Sequence, residues 1–317
     1  MSSMSMSGQA RAKKQSFWKR LSLDLRRNKI VYLMALPMIA FYVIFHYIPM
    51  GGVVIAFQNF RPARGFMGSD WVGLRHFVDF FTGPFAWRVI RNTFLLNFYD
   101  IVFGFPMPII LALLLNEVRL KSFKKVVQTI SYMPFFISIV VICGILADFS
   151  RSAGLFNIIL GWFGREPENL LMQQHLFRRI FVGSGIWETV GWGSIIYLAS
   201  ISTIDPTMYE AADMDGATRL RKIWNITLPA LIPIISILLI MRIGNIMTQG
   251  AEKVLLLYNP LTFETADVIS TFVFRRGLEE MNFSFGAAVG LFNSVVNVTT
   301  LVVANGVFRR FAKESLW

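Results

Sequence analysis

The sequence predicts an all-α polytopic membrane protein with six transmembrane helices and both termini in the cytoplasm. Three observations carry this. Of 317 residues, 55% are hydrophobic and 16% charged, where soluble domains carry about 25% charged residues. Six apolar runs are each long enough for about 30 Å of hydrocarbon. Lys and Arg gather in alternate connecting segments, the distribution expected of cytoplasmic loops. Backbone groups in lipid must be bonded within the segment, so the runs are helices. The net charge of +12 does not point to nucleic acid, because the basic residues lie in short segments between apolar runs. A single cysteine, Cys143, excludes an internal disulfide and a cysteine-based metal site. The histidines His46, His76 and His175 are scattered and offer no paired ligands.

Residues 1–15 are rich in Ser, Met, Gly and Lys and read as disordered. Phe17, Trp18, Leu21 and Leu25, ringed by Lys19, Arg20, Arg26 and Arg27, predict an amphipathic helix on the cytoplasmic face of the bilayer. Residues 1–29 are thus expected to be a cytoplasmic tail. The first span is expected over Ile30–Phe57, kinked at Pro37 and Pro49. Its apolar run is too long for a cleaved signal. Five more spans are expected near Val89–Leu115, Val126–Ala147, Ile180–Thr203, Leu228–Gln249 and Gly286–Phe308. They complete a membrane domain of residues 30–308, followed by a cytoplasmic tail, 309–317. With the N-terminus inside, segments 1–29, 116–125, 204–227 and 309–317 face the cytoplasm and hold 18 basic residues. The outer segments 58–88, 149–179 and 250–285 hold 11 over a greater length, which favours this orientation. The aromatic residues Trp71, Phe77, Phe80, Phe81 and Phe85 predict a short helix at the outer interface. Residues 259–285 are too interrupted to span and read as a re-entrant or surface helix.

Between the fourth and fifth spans lies a polar island. Asp205-Pro206 is a good cap and first-position pair, Thr207 to Met214 can form a short helix, and Gly216 is placed to stop it. A second amphipathic helix is expected from Thr218, with Leu220, Ile223, Trp224 and Leu228 on one face, leading into Pro229. The result is a rigid protrusion.

Within it stand Glu210-Ala211-Ala212, then Gly216 after three intervening residues, then Ile226 and Leu228-Pro229 after nine more. This resembles the EAA motif of the permeases of binding-protein-dependent ABC importers. The resemblance implies the architecture of a type I importer permease. It makes residues 205–217 the coupling helix, with Tyr209, Glu210, Ala211, Ala212, Asp215, Gly216 and Ala217 meeting a cleft in an ATPase subunit. It also implies a bacterial inner-membrane location and four kinds of partner besides the lipid bilayer. These are a second permease subunit, in sugar importers usually a different chain, two cytoplasmic ATPase subunits, an external solute-binding protein and an oligosaccharide. No Gly-x-x-x-x-Gly-Lys-Ser/Thr loop occurs in the chain. The chain is therefore expected to be a transport subunit and no enzyme, with no cofactor of its own and with ATP and Mg held by its partners. From about Trp18 to Phe311 it resembles the permeases for complex sugars, first permease subunits of alginate oligosaccharide importers among them. That likeness implies an acidic, alginate-like substrate.

Polar side chains inside spans are costly and tend to face a bundle interior or a wet path. Asn97, Asp100, Glu188, Trp192, Arg242, Asn245, Asn293 and Asn297 are the candidate path residues. The plainer reading is glue between helices, worth roughly 0.6 kcal/mol per polar contact. On that reading Arg242 and Glu188 pair with each other, and Asp100 caps a helix or pairs with Arg91. Arg88, Arg91, Arg178, Arg179, Arg275 and Arg276 lie near outer edges, as interface anchors or as attraction for an anionic substrate or an acidic binding protein. Gly286 and Gly290 read as a packing pair. The alternative function is an ion-gradient-driven secondary transporter or channel. It calls for internal repeats and midplane acids; no repeat is found and the acids are few.

Overall fold

A computed structural model describes residues 24, 27–248 and 250–311. The expected surface helix at Phe17–Leu25 and residues 312–317 of the C-terminal tail lie outside these. The chain divides into two compact units, 1–54 and 55–317. Regular structure is helical apart from one two-residue ladder, in which Gln58 faces Trp71 and Asn59 faces Asp70.

In the first unit the chain enters helix α1 (Lys29–Phe57). The Asp24 carboxylate accepts from Asn28 Nδ2 at 2.7 Å and from the Tyr32 hydroxyl at 2.6 Å. Pro37 is carried inside the helix, and a π-turn at Val43–Tyr47 precedes Pro49. The second unit repeats that device. π-Turns at Asp100–Gly104 and Ile223–Thr227 end two residues before Pro106 and Pro229. A proline has no N–H to give and its ring collides with the carbonyl four residues back. A widened turn at that point absorbs the collision without ending the helix.

The second unit continues with α2 (Arg75–Thr82), α3 (Ala86–Glu117), α4 (Lys121–Tyr132), α5 (Ile139–Ser150), α6 (Leu155–Gly161) and α7 (Gln174–Ile201). Then come α8 (Pro206–Met214), α9 (Arg219–Gly244), α10 (Ala251–Leu257), α11 (Phe263–Ala266), α12 (Ile269–Val273) and α13 (Phe283–Phe311). Among the described residues five segments are long and apolar enough to cross a membrane: α1, α3, Ile139–Gly161, α9 and Phe283–Arg310. Helix α7 has 28 residues, about 42 Å at 1.5 Å per residue. It is long enough to span, but Glu188 and its interspersed Gly, Ser, Thr and Trp residues make it less apolar than the other spans.

Helix α7 is the central post, packed against α3, α4 and α9. Its glycines permit this. A Cβ on Gly191 would fall 2.0 Å from the Ser131 carbonyl oxygen of α4, and one on Gly193 would fall 3.0 Å from Pro108. Leu96, Ile142, Phe177, Phe181 and Val254 form the largest buried apolar cluster beside it.

Three expectations are corrected. The span placed at Val126–Ala147 is broken: α4 ends at Tyr132, Met133–Phe136 is a 3-10 turn containing Pro134, and Ile137 and Ser138 are extended before α5 begins. The proline interrupts an apolar run that hydropathy alone joins together. Of the two readings of segment 259–285, the surface helix is excluded, because Ala266, Asp267, Val268, Ile269, Thr271 and Phe272 are all buried. Phe272 and Ile269 pack with Phe80 of α2, Val89 of α3 and Val289 of α13. Gly286 does meet Gly277 closely, but a Cβ on Gly290 would touch nothing, so the two do not act as a pair.

Candidate functional site

The protrusion at 205–217 is built from local signals. Asp205 Oδ1 accepts from Thr207 N at 3.0 Å, and Pro206 fills the first helical position. This bond to the backbone N–H stabilises the charged carboxylate and holds its pKa below the usual aspartate value. At the other end Gly216 takes φ +67°, and Ala217 N donates to Ala212 O at 2.9 Å, closing the helix. Thr218 caps the start of α9. Two cross-braces stiffen the knob. Lys222 Nζ meets Asp213 Oδ1 at 2.7 Å, and the Tyr209 and Thr227 hydroxyls share a bond of 2.9 Å. No residue of α8 is buried. Met208, Met214, Leu220 and Trp224 are exposed around Glu210 and Gly216, an apolar rim of the kind that marks a partner surface.

The second site is a cavity of about 270 Å³ between α3, α7, the end of α9 and the start of α10. Five predicted path residues line it: Asn97, Asp100, Glu188, Arg242 and Asn245. The π-turn of α3 aims Asp100, whose carboxylate lies where a Cβ on Gly104 would stand, 2.6 Å from it. Asp100 pairs with Arg242, and Glu188 pairs with Lys253 at 3.1 Å. The expected Arg242–Glu188 and Asp100–Arg91 pairs are not formed. Arg91 instead meets Glu264 at 2.7 Å. Each observed pair joins two elements across the cavity, α3 to α9 and α7 to α10. Lys253, Thr189 and Thr248 also line the space and were not anticipated. Lys253 had been counted with the outer loop charges, and nothing in its local sequence marks it as inward.

The other three candidates lie elsewhere. Trp192 stacks on Phe135 with centroids 4.6 Å apart and meets Phe136 edge-on. Asn297 bonds Met247 N at 3.0 Å and Thr248 Oγ1 at 2.6 Å, so it ties α13 to the end of α9. Asn293 does not reach the cavity, and its Oδ1 is buried with no partner among the described residues.

Most outer arginines are structural. Fully buried Asp267 accepts from Arg275 at 2.7 Å, Arg88 at 3.2 Å and Thr271 at 2.8 Å. Arg178 donates to Asn92 Oδ1 at 2.7 Å, and Arg276 pairs with Glu280 at 2.8 Å. A buried carboxylate needs such partners, which is why Arg88 and Arg275 turn toward Asp267. Among the described residues no cluster of side chains suited to a metal ion occurs.

A knob braced to α9 and a charged cavity between helices suit a membrane transport subunit. Residues 80–313 match the family of binding-protein-dependent transport system inner membrane components, and the chain belongs to it. It is a multi-pass inner-membrane permease of the ABC importer class, a transport subunit whose ATPase is a separate partner. Its sequence is 43% identical over 300 residues to the polygalacturonan/rhamnogalacturonan transport system permease protein YteP of Bacillus subtilis (strain 168), covering 94% of each chain. Its fold matches a chain of a bacterial ABC transporter involved in import of the acidic polysaccharide alginate. The TM-score is 0.85 and the identity 44%, over 92% of this chain and 99% of that one. A chain of a bacterial alginate ABC transporter, in complex with an alginate pentasaccharide-bound periplasmic protein, matches at TM-score 0.86 and 43% identity, over 94% and 100%.

Proposed function

We propose that this chain is one of two permease subunits in an importer of acidic oligosaccharides, driven by two cytoplasmic ATPase subunits that bind ATP and Mg. The observation that carries the reading is the 205–217 knob: rigid, exposed, rimmed with apolar side chains, on a chain with no phosphate-binding loop. Glu210, Ala211, Ala212, Asp215, Gly216 and Ala217 meet the ATPase, and Tyr209 braces the knob through Thr227. Closure of the ATPase pair pulls on the knob, which moves α9 and the cavity wall it carries. Two packings of similar free energy are biased by nucleotide.

The substrate assignment is supported by the likeness to alginate importer chains and by the cavity. Arg242 and Lys253 suit carboxylates, while Asn97, Asn245, Thr189 and Thr248 suit sugar hydroxyls. Both cations already have partners, so an entering carboxylate exchanges with Asp100 or Glu188. Exchange of equals binds weakly enough to release, as a path must. The test is ATP turnover and uptake by the complete transporter in proteoliposomes, with the binding protein loaded with acidic or neutral oligosaccharides. Stimulation by acidic chains is expected. Stimulation by neutral chains alone overturns the substrate reading, and failure of any ATPase subunit to copurify overturns the importer reading for the knob.

A further inference from the structure

We propose that a groove on α7, headed by Arg179, is a binding site for one anionic phospholipid. Arg179, Gly183 and Trp187 recur every four residues and so share one face of the helix. They line an apolar cavity of about 780 Å³ whose walls include Ile145, Phe149 and Phe156. The Ser184 hydroxyl there is already bonded to Phe181 O at 2.9 Å. Arg179 is then the one charged group of the groove, with the Trp187 indole N–H its other free donor. It is exposed and, alone of the six outer arginines, has no partner among the described residues. Gly183 makes the trough, since a Cβ built there meets nothing within 4 Å.

The dimensions fit a lipid. Arg179 lies five residues into α7, roughly 8 Å from its end, and Trp187 lies roughly 12 Å deeper. A phosphate on the guanidinium at headgroup level thus leads an acyl chain down over Gly183 beside the Trp187 ring. Arg178 lines the recess on the other side of Arg179 and adds positive potential to the headgroup position. A cation free at the edge of a span attracts an anionic headgroup, and here an apolar groove for the acyl chain adjoins it.

The test uses the complete transporter in nanodiscs of phosphatidylglycerol and phosphatidylcholine, followed by native mass spectrometry of retained lipid. One phosphatidylglycerol per copy of this chain is expected, with a preference over phosphatidylcholine of about fivefold, the ratio that ~1 kcal/mol per surface cation converts to. Arg179→Gln is expected to abolish the preference, Arg179→Lys to retain it, and Gly183→Leu to expel the lipid. ATP turnover reports that each variant is assembled; if Gly183→Leu does not assemble, the exposed Arg179 pair still decides. Equal retention of both lipids, or no difference between Arg179→Gln and Arg179→Lys, overturns the proposal. A photocrosslink to the second permease from a benzophenone maleimide on Gly183→Cys also overturns it, by showing a protein in the groove.

Discussion

Gly216 is the point at which the knob is easiest to perturb without touching another part of the chain. Its φ of +67° lies in the left-handed region, and a Cβ there would meet nothing of the chain within 4 Å. Within the chain the effect of a larger residue is therefore backbone strain, ~1–2 kcal/mol for an L-residue and more for a β-branched one; any added bulk against the ATPase is common to Val and Asn. That shifts the local equilibrium about 5–30-fold away from the closed helix end. The bond from Ala217 N to Ala212 O depends on that conformation. Gly216→Val should leave the protein in the membrane and its partners' basal ATP turnover intact. Binding-protein-stimulated turnover and uptake in proteoliposomes should fall severalfold or more. Gly216→Asn adds a larger side chain but tolerates the left-handed conformation, and should retain both activities. Equal behaviour of the Val and Asn variants, whether both active or both inactive, refutes the reasoning from strain.

The Glu188–Lys253 pair has side chains only 21% and 13% exposed. Glu188→Gln or Lys253→Met alone should lower stability by up to ~3 kcal/mol, and the double variant should recover much of it; a thermal-melt cycle with no coupling energy contradicts the pairing. The pKa of Asp205 is depressed in the folded knob, so its cap contribution is fully present above the unfolded value of about 3.9 and is lost as pH falls through the lower folded value. Hydrogen exchange of the α8 amides should show that loss in wild type, and Asp205→Ala should remove the dependence. Gly191→Ala forces α7 off the Ser131 carbonyl and should cost at least ~1–3 kcal/mol, whereas Gly144→Ala, with open space around it, should be silent in the same melting assay.

The knob was readable in sequence almost to the residue because capping chemistry is local. Asp205-Pro206 and Gly216 act on neighbours a few positions away, and their geometry follows from their own side chains or the lack of one. The apolar character of the spans is equally local. Partner choice inside the membrane was not legible. Asp100 and Arg242 lie 142 residues apart, and sequence offers the nearer Arg91 for Asp100 and Arg242 for Glu188. Only packing decides, and it sends Arg91 to Glu264 and Lys253 into the cavity. The outer arginines followed the same course. Asp267 gave no sign of being fully buried, so the cations gathered on it resembled surface charges. Pro134 carried a break signal that a hydropathy count overrode. Proline alone does not settle such cases, since Pro37 and Pro233 sit inside unbroken helices.

The central claim is that the 205–217 knob carries force from an ATPase to the spans. Its most direct test is Ala211→Cys in the complete transporter. The native thiol, Cys143, is buried and leaves the reporter nearly alone. The account predicts a crosslink to the ATPase subunit that changes with ATP, and labelling by an impermeant thiol reagent only from the cytoplasmic side. Labelling from the outer side, or a knob that never crosslinks to the ATPase, contradicts it.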